Sequence, residues 1–160
     1  MKKFLYYDPK LLLYGFSILF FASYGQTFFI SLFNTEIRIF YDLSDGEFGL
    51  VYSIATLSSS FILISFAKLI DHLDLRVYSF IITLGFLFAC LGMVLLINNI
   101  LYLFLIIFML RFFGQGAMDH AGGTTMARYF GNDKGKALSA ATLGGMIGVM
   151  FLPYFALNFF

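Results

Sequence analysis

The chain has 160 residues, 61% of them hydrophobic and only 12% charged, about half the charged share of an ordinary globular domain. Its net charge of +1 offers no basic field for nucleic acid. The single cysteine, Cys90, excludes a disulfide framework. The two histidines, His72 and His120, lie 48 positions apart and argue against metal chemistry. No nucleotide-binding loop is present, so neither a cofactor nor an enzyme activity is expected.

Four stretches, 11–33, 48–67, 77–97 and 137–160, contain no Asp, Glu, Lys or Arg. Each is long enough to cross a hydrocarbon core about 30 Å thick, which takes roughly 20 helical residues. A fifth, 100–127, is as long but carries Arg111, Asp119 and His120. In lipid every backbone polar group must be satisfied within its own segment, so these stretches are predicted helices. The expected architecture is an all-α integral membrane protein, one domain over 1–160. Its helices run over about 11–33, 48–70, 77–97, 100–127 and 137–160.

The first segment follows Lys2 and Lys3, which imitate the start of a secretion signal. At 23 residues it exceeds the 7–15 of a signal core, and its end at Phe28–Phe33 lacks small residues. It reads as a retained helix. Gln26 lies at mid-to-outer depth and either faces a cavity or bonds a neighbouring helix. The connection 34–47 is acidic, and Ser44-Asp45-Gly46-Glu47 has the spacing of a capping box, with Leu43 and Phe48 placed as a hydrophobic staple. A cation-attracting vestibule is the alternative reading of those acids. Ser58, Ser59 and Ser60 permit close helix contact. Cys90 acts as a small hydrophobe. Only Asn98-Asn99 separates the third and fourth segments, which makes them antiparallel neighbours.

The second connection holds Asp71 just past one helix end and Arg76 just before the next. Each opposes its local helix dipole, so each is expected to pair, with the other or with a helix elsewhere. In the fourth segment Arg111 falls at mid-depth, where a guanidinium costs about 2.5–3.5 kcal/mol on insertion scales. It must therefore face a partner, a cavity or a substrate. At 100° per residue, Gln115 and Asp119 share its helix face, with His120 adjacent. This polar stripe serves either a transport pathway or interhelical hydrogen bonding. In the last segment Gly144, Gly145 and Gly148 suit helix packing, and Pro153 is a candidate kink.

If every segment spans, Lys2, Lys3, Lys10, Lys68, Arg76, Arg128, Lys134 and Lys136 share one side, against Arg38 on the other. The positive-inside rule then predicts a cytoplasmic N-terminus in the cell (inner or plasma) membrane.

Ala67, Asp71 and Arg76 resemble the signature loop between helices two and three of the major facilitator superfamily. His72 stands where that signature has a basic residue, and Asp74 where it has glycine. Leu110-Arg111-Phe112-Phe113-Gly114-Gln115-Gly116-Ala117 is similar to the family's helix-four motif, with Gly and Gln exchanged in order. Residues 128–137 resemble the helix-four-to-five loop of members similar to monocarboxylate and organic-anion carriers, and 40–57 resembles the loop and second helix of bacterial members. Gly148 and Pro153 are five apart, unlike the adjacent pair of the family's antiporter signature. The resemblance implies that this chain is a partial N-terminal six-helix bundle, a fragment whose missing C-terminal half is its partner. It also implies a secondary carrier moving a small solute by alternating access, with H+ as the coupling ion. In that reading Arg111, Gln115, Asp119, His120 and Gln26 line the substrate or proton pathway, and Asp71 and Arg76 form a conformational latch. A small organic anion is the expected substrate. The rival reading is a small membrane scaffold or assembly subunit that uses the Gly144–Gly148 face for partners.

Overall fold

The computed structural model describes residues 8–159 apart from 96, and all regular structure among them is helical. Lys2, Lys3 and the last residue of the fifth predicted helix lie outside the described residues. α1 (Pro9–Ala22) starts on the Asp8 carboxylate, which accepts the N–H groups of Lys10 and Leu11 at 3.1 and 3.2 Å. Proline at the first helical position loses no hydrogen bond there.

The first segment does not continue as one helix. A 3₁₀ turn at Ser23–Gly25 leads into Gln26, whose backbone is extended (φ −84°, ψ 156°). α2 (Thr27–Ile30), a 3₁₀ turn at Ser31–Phe33 and α3 (Asn34–Tyr41) follow, bent by 42° from the first part. The expected loop 34–47 is therefore mostly helical, and it closes with Asp42 in the left-handed region (φ 53°, ψ 48°). The cause of the break is tertiary. A Cβ on Gly25 would strike the Leu110 carbonyl and lie 2.8 Å from Gly114 Cα, so two backbones cross there.

α4 (Asp45–Phe66) begins with the capping box: Ser44 Oγ accepts the Glu47 N–H, and the Glu47 carboxylate accepts the Ser44 N–H at 2.8 Å. A 3₁₀ turn, Ala67–Asp71, ends it. Asp74 caps α5 (Leu75–Val94), and Asn99 caps α6 (Ile100–Met109) through the N–H groups of Leu101 and Tyr102. The fourth span then changes winding. Leu110–Met118 is π-helical, and α7 (Asp119–Tyr129) completes it. Gly131, at φ +46°, makes the turn into α8 (Lys134–Phe159), which runs through Pro153.

Four helices, Asp45–Asp71, Leu75–Val94, Ile100–Tyr129 and Gly131–Ala156, are long and apolar enough to cross a membrane. The bent pair Pro9–Gly25 and Thr27–Tyr41 makes a fifth span if it counts as one. Between such helices lipid removes the hydrophobic drive, so small residues and close packing hold the bundle. α1 and α8 make the closest pair. Gly144 receives the Phe16 carbonyl, Gly148 receives the Ser23 side chain, and Gly15 faces Met126 and Ala141. Ser23, fully buried, donates to the carbonyls of Leu19 and Gly145. One apolar core gathers Leu12, Leu19, Tyr78, Ile82 and Met126; a second joins Ile37, Tyr41, Phe48, Leu103 and Ile107. Outward, Leu50, Leu57 and Phe61 of α4 and Phe80 and Phe88 of α5 stand exposed, as a hydrocarbon surround requires.

Candidate functional site

The fourth span carries the site because the sequence places a cation where lipid cannot hydrate it. Arg111 is the second residue after α6, in the π-helical segment, and is 9% exposed. Its Nη1 donates to Thr27 Oγ1 at 3.0 Å and reaches the Gly25 carbonyl at 3.5 Å. Both acceptors come from the break in the first span. Gly25 ends the 3₁₀ turn, and Thr27 opens α2. The Tyr52 ring of α4 takes the guanidinium face at 5.5 Å, and its hydroxyl donates to the same Thr27 Oγ1 at 2.8 Å. Three spans thus fix one cation, and a desolvated cation–π contact of this kind is worth about 2 kcal/mol.

No carboxylate joins them. The ion pairs among the described residues are Arg38–Asp45, Asp71–Arg128 and Asp133–Lys136, and Arg111 is in none. Its Nε is buried with no hydrogen-bond partner among the described residues. A buried charge satisfied by neutral groups alone has its attraction for an anion intact.

Further along the same span, Asp119 accepts from Gln26 Nε2 at 3.5 Å, so the residue at the break in the first span touches the first residue of α7. Gln115 Oε1 is buried and unpartnered among the described residues. His120 Nε2 lies 3.3 Å from Thr124 Oγ1, while its Nδ1 is buried with no partner there. These polar groups lie on a span whose geometry is not that of an α-helix. Between Arg111 and Asp119 the backbone bonds run i to i+5, so the 100° step used to place Gln115 and Asp119 on one face does not apply. The sequence carries no periodicity that announces this winding.

At the basic end of the bundle, Asp71 pairs with Arg128 and not with Arg76. Arg128 also donates to the Ile70 carbonyl at 3.1 Å, which joins the second connection to the end of α7. The Arg76 side chain is exposed and in no ion pair among the described residues. The opposed-dipole argument allowed a helix elsewhere as partner, and that is where Asp71 goes. A small cavity of about 10 Å³, room for about one water, lies beside Arg128, lined by Ile70, Leu75, Thr124, Thr125, Arg128 and Tyr129. Gly144 and Gly148 sit away from the polar stripe, against α1. Tyr52 and Thr27 escaped the sequence reading. Tyr52 counts as one more apolar ring in α4, and only its proximity to Arg111 reveals its use. Among the described residues no cluster of three or more His, Cys, Asp or Glu could hold a metal ion.

The model of the Major Facilitator Superfamily matches residues 15–159. The chain belongs to that superfamily. No curated protein and no solved structure gives a significant match. Members of the superfamily are membrane transporters, and the chain is an integral membrane protein of that general function. Matching from within α1 to the last residue of α8, the family assignment covers Arg111, Asp119 and the Asp71 connection together.

Proposed function

We propose that this chain forms the N-terminal part of a secondary carrier that moves a small organic anion by alternating access. The observation that carries this reading is the Arg111 guanidinium, buried at mid-span, held by Thr27, Gly25 and Tyr52, and lacking a carboxylate. An intramembrane cation held in this way is a functional group by default. Gln26 and Gln115 supply neutral polar contacts beside it. Asp119 and His120 carry the coupling proton in this reading, with the rest of the pathway contributed by a C-terminal half. The Asp71–Arg128 pair closes the basic end, and Arg76 is available to meet that second half. The positive-inside rule puts this basic end, and with it the N-terminus, in the cytoplasm.

The scaffold reading needs a free glycine face on α8, and α1 already covers Gly144 and Gly148. The anion reading is tested by calorimetric titration of acetate and lactate into the chain in phosphatidylcholine nanodiscs. Wild type is expected to bind, and Arg111→Ala to lose at least about tenfold in affinity, as a desolvated charge pair demands. Equal binding by both proteins, or none by wild type, defeats the reading. For the proton, vesicles loaded with a pH dye and carrying the complete carrier are expected to acidify during anion uptake. Asp119→Asn would abolish that acidification while anion exchange persists.

A further inference from the structure

Thr27 emerges from a count of hydrogens. Its Oγ1 has two lone pairs and one O–H. Arg111 has no acceptor, so Nη1 must donate to that oxygen, at 3.0 Å. The Tyr52 hydroxyl donates to the same oxygen at 2.8 Å. With both lone pairs filled, the Thr27 O–H can act only as a donor, and no acceptor is bonded to it among the described residues. Were the Tyr52–Thr27 bond reversed, the spare hydrogen would pass to Tyr52, so the hydroxyl pair retains one free donor either way. Thr27 is exposed, whereas Arg111 is buried. The guanidinium divides in the same sense. Nη1 is taken up by Gly25 and Thr27, and Nε is buried, which leaves Nη2 as the nitrogen with no hydrogen bond among the described residues and outside the buried, unpartnered set.

We infer that Thr27 is an anion-contacting residue, its hydroxyl and the Arg111 Nη2 together forming a two-donor site for one carboxylate. The inference rests on the anion reading above and adds a second donor to it. The two donors differ in kind. Nη2 supplies charge. The hydroxyl supplies a directed hydrogen bond to the second oxygen of a planar oxyanion, and charge-assisted bonds of this type are the strong ones. Tyr52 is a positioning residue here. Its hydroxyl occupies one Thr27 lone pair and so turns the Thr27 hydrogen outward, while its ring sets the plane of the guanidinium. Asp119 lies on the same span and binds Gln26, the residue before Thr27.

The test is acetate titration into the chain in phosphatidylcholine nanodiscs, comparing wild type with Thr27→Val, Thr27→Ser, Thr27→Ala and Tyr52→Phe. Thr27→Val keeps the shape and removes the hydroxyl, and is expected to weaken acetate binding about tenfold, the scale of a hydrogen bond to a charged group. Thr27→Ser keeps the hydroxyl and is expected to bind within about twofold of wild type, whereas Thr27→Ala, which checks the valine result without a branched side chain, matches Thr27→Val. Tyr52→Phe is expected to lose about threefold and to move the Arg111 Nη resonances in the nitrogen-15 NMR spectrum, a shift that a remote packing change would not produce. Valine and alanine variants that bind like wild type overturn the inference while leaving the Arg111 reading in place, provided Arg111→Ala still loses affinity. A serine variant as weak as the valine one overturns it too, because the methyl and not the hydroxyl would then matter. If wild type binds no carboxylate, the anion reading fails and this inference fails with it.

Discussion

The second and fourth spans are close in hydropathy and unlike in their surroundings. In the apolar stretch of Asp45–Asp71, 11% of residues are buried inside the molecule; in that of Ile100–Tyr129, 44% are. The fourth span runs through the middle of the bundle, touching the first, second and third, and the second lies on the outside, turning Leu50, Ile54, Leu57 and Phe61 outward. Apolar composition thus identifies the solvent of a helix but not its neighbours. What separates the two is their minority residues. The fourth span carries Arg111, Gln115, Asp119 and three glycines that meet other helices, Gly114, Gly116 and Gly122, which is where interior position is written. The second has hydroxyls bonded to its own backbone: Ser59 and Ser60 both donate to the Thr56 carbonyl.

The comparison breaks most sharply at glycines. Gly114→Val would put a Cβ 2.7 Å from a Phe86 ring carbon and 2.8 Å from Gly25 Cα. It should cost about 3 kcal/mol in an SDS unfolding titration from mixed micelles. At the other extreme, a Cβ on Gly49 of the second span meets nothing within 4 Å, and Gly49→Ala should change stability by less than about 0.5 kcal/mol. If both behave alike, the interior position of the fourth span is wrong. Between these limits, Ser44→Ala removes the cap of the second span and should cost about 1 kcal/mol in the same titration. Asp71→Asn breaks an exposed pair, 58% and 42% accessible at its two side chains. It is expected to cost at most about 1 kcal/mol, with the loss shrinking as salt is added.

Much of this was legible in the residues, and the gaps have physical causes. The span pattern follows from charge-free runs, and the Ser44 helix start follows from a side chain that must satisfy free N–H groups. Arg111 advertised itself through the cost of its burial. The break at Gln26 did not, because no proline marks it. It arises where Gly25 meets the Leu110 carbonyl and Gly114, a meeting between distant parts of the chain. The π winding of Leu110–Met118 was hidden for a related reason, since tertiary contact and not periodicity selects it. The Arg128 partner of Asp71 lies 57 residues away, beyond what local charge reasoning reaches.

The break at Gln26 divides the allegiance of the first span. Before it, α1 is locked to α8 through Phe16 on Gly144 and Ser23 on Gly148; after it, Thr27 is tied to Tyr52 of α4, and Ile37 and Tyr41 pack with Phe48, Leu103 and Ile107. The first span thus changes neighbours at a single extended residue, although Ile30 beyond the break still joins the core of Leu12, Leu19 and Ile82. At that residue the Gln26 side-chain amide donates to Asp119 at 3.5 Å. The residue where the first span changes neighbours and the carboxylate proposed to carry the proton are therefore in direct touch.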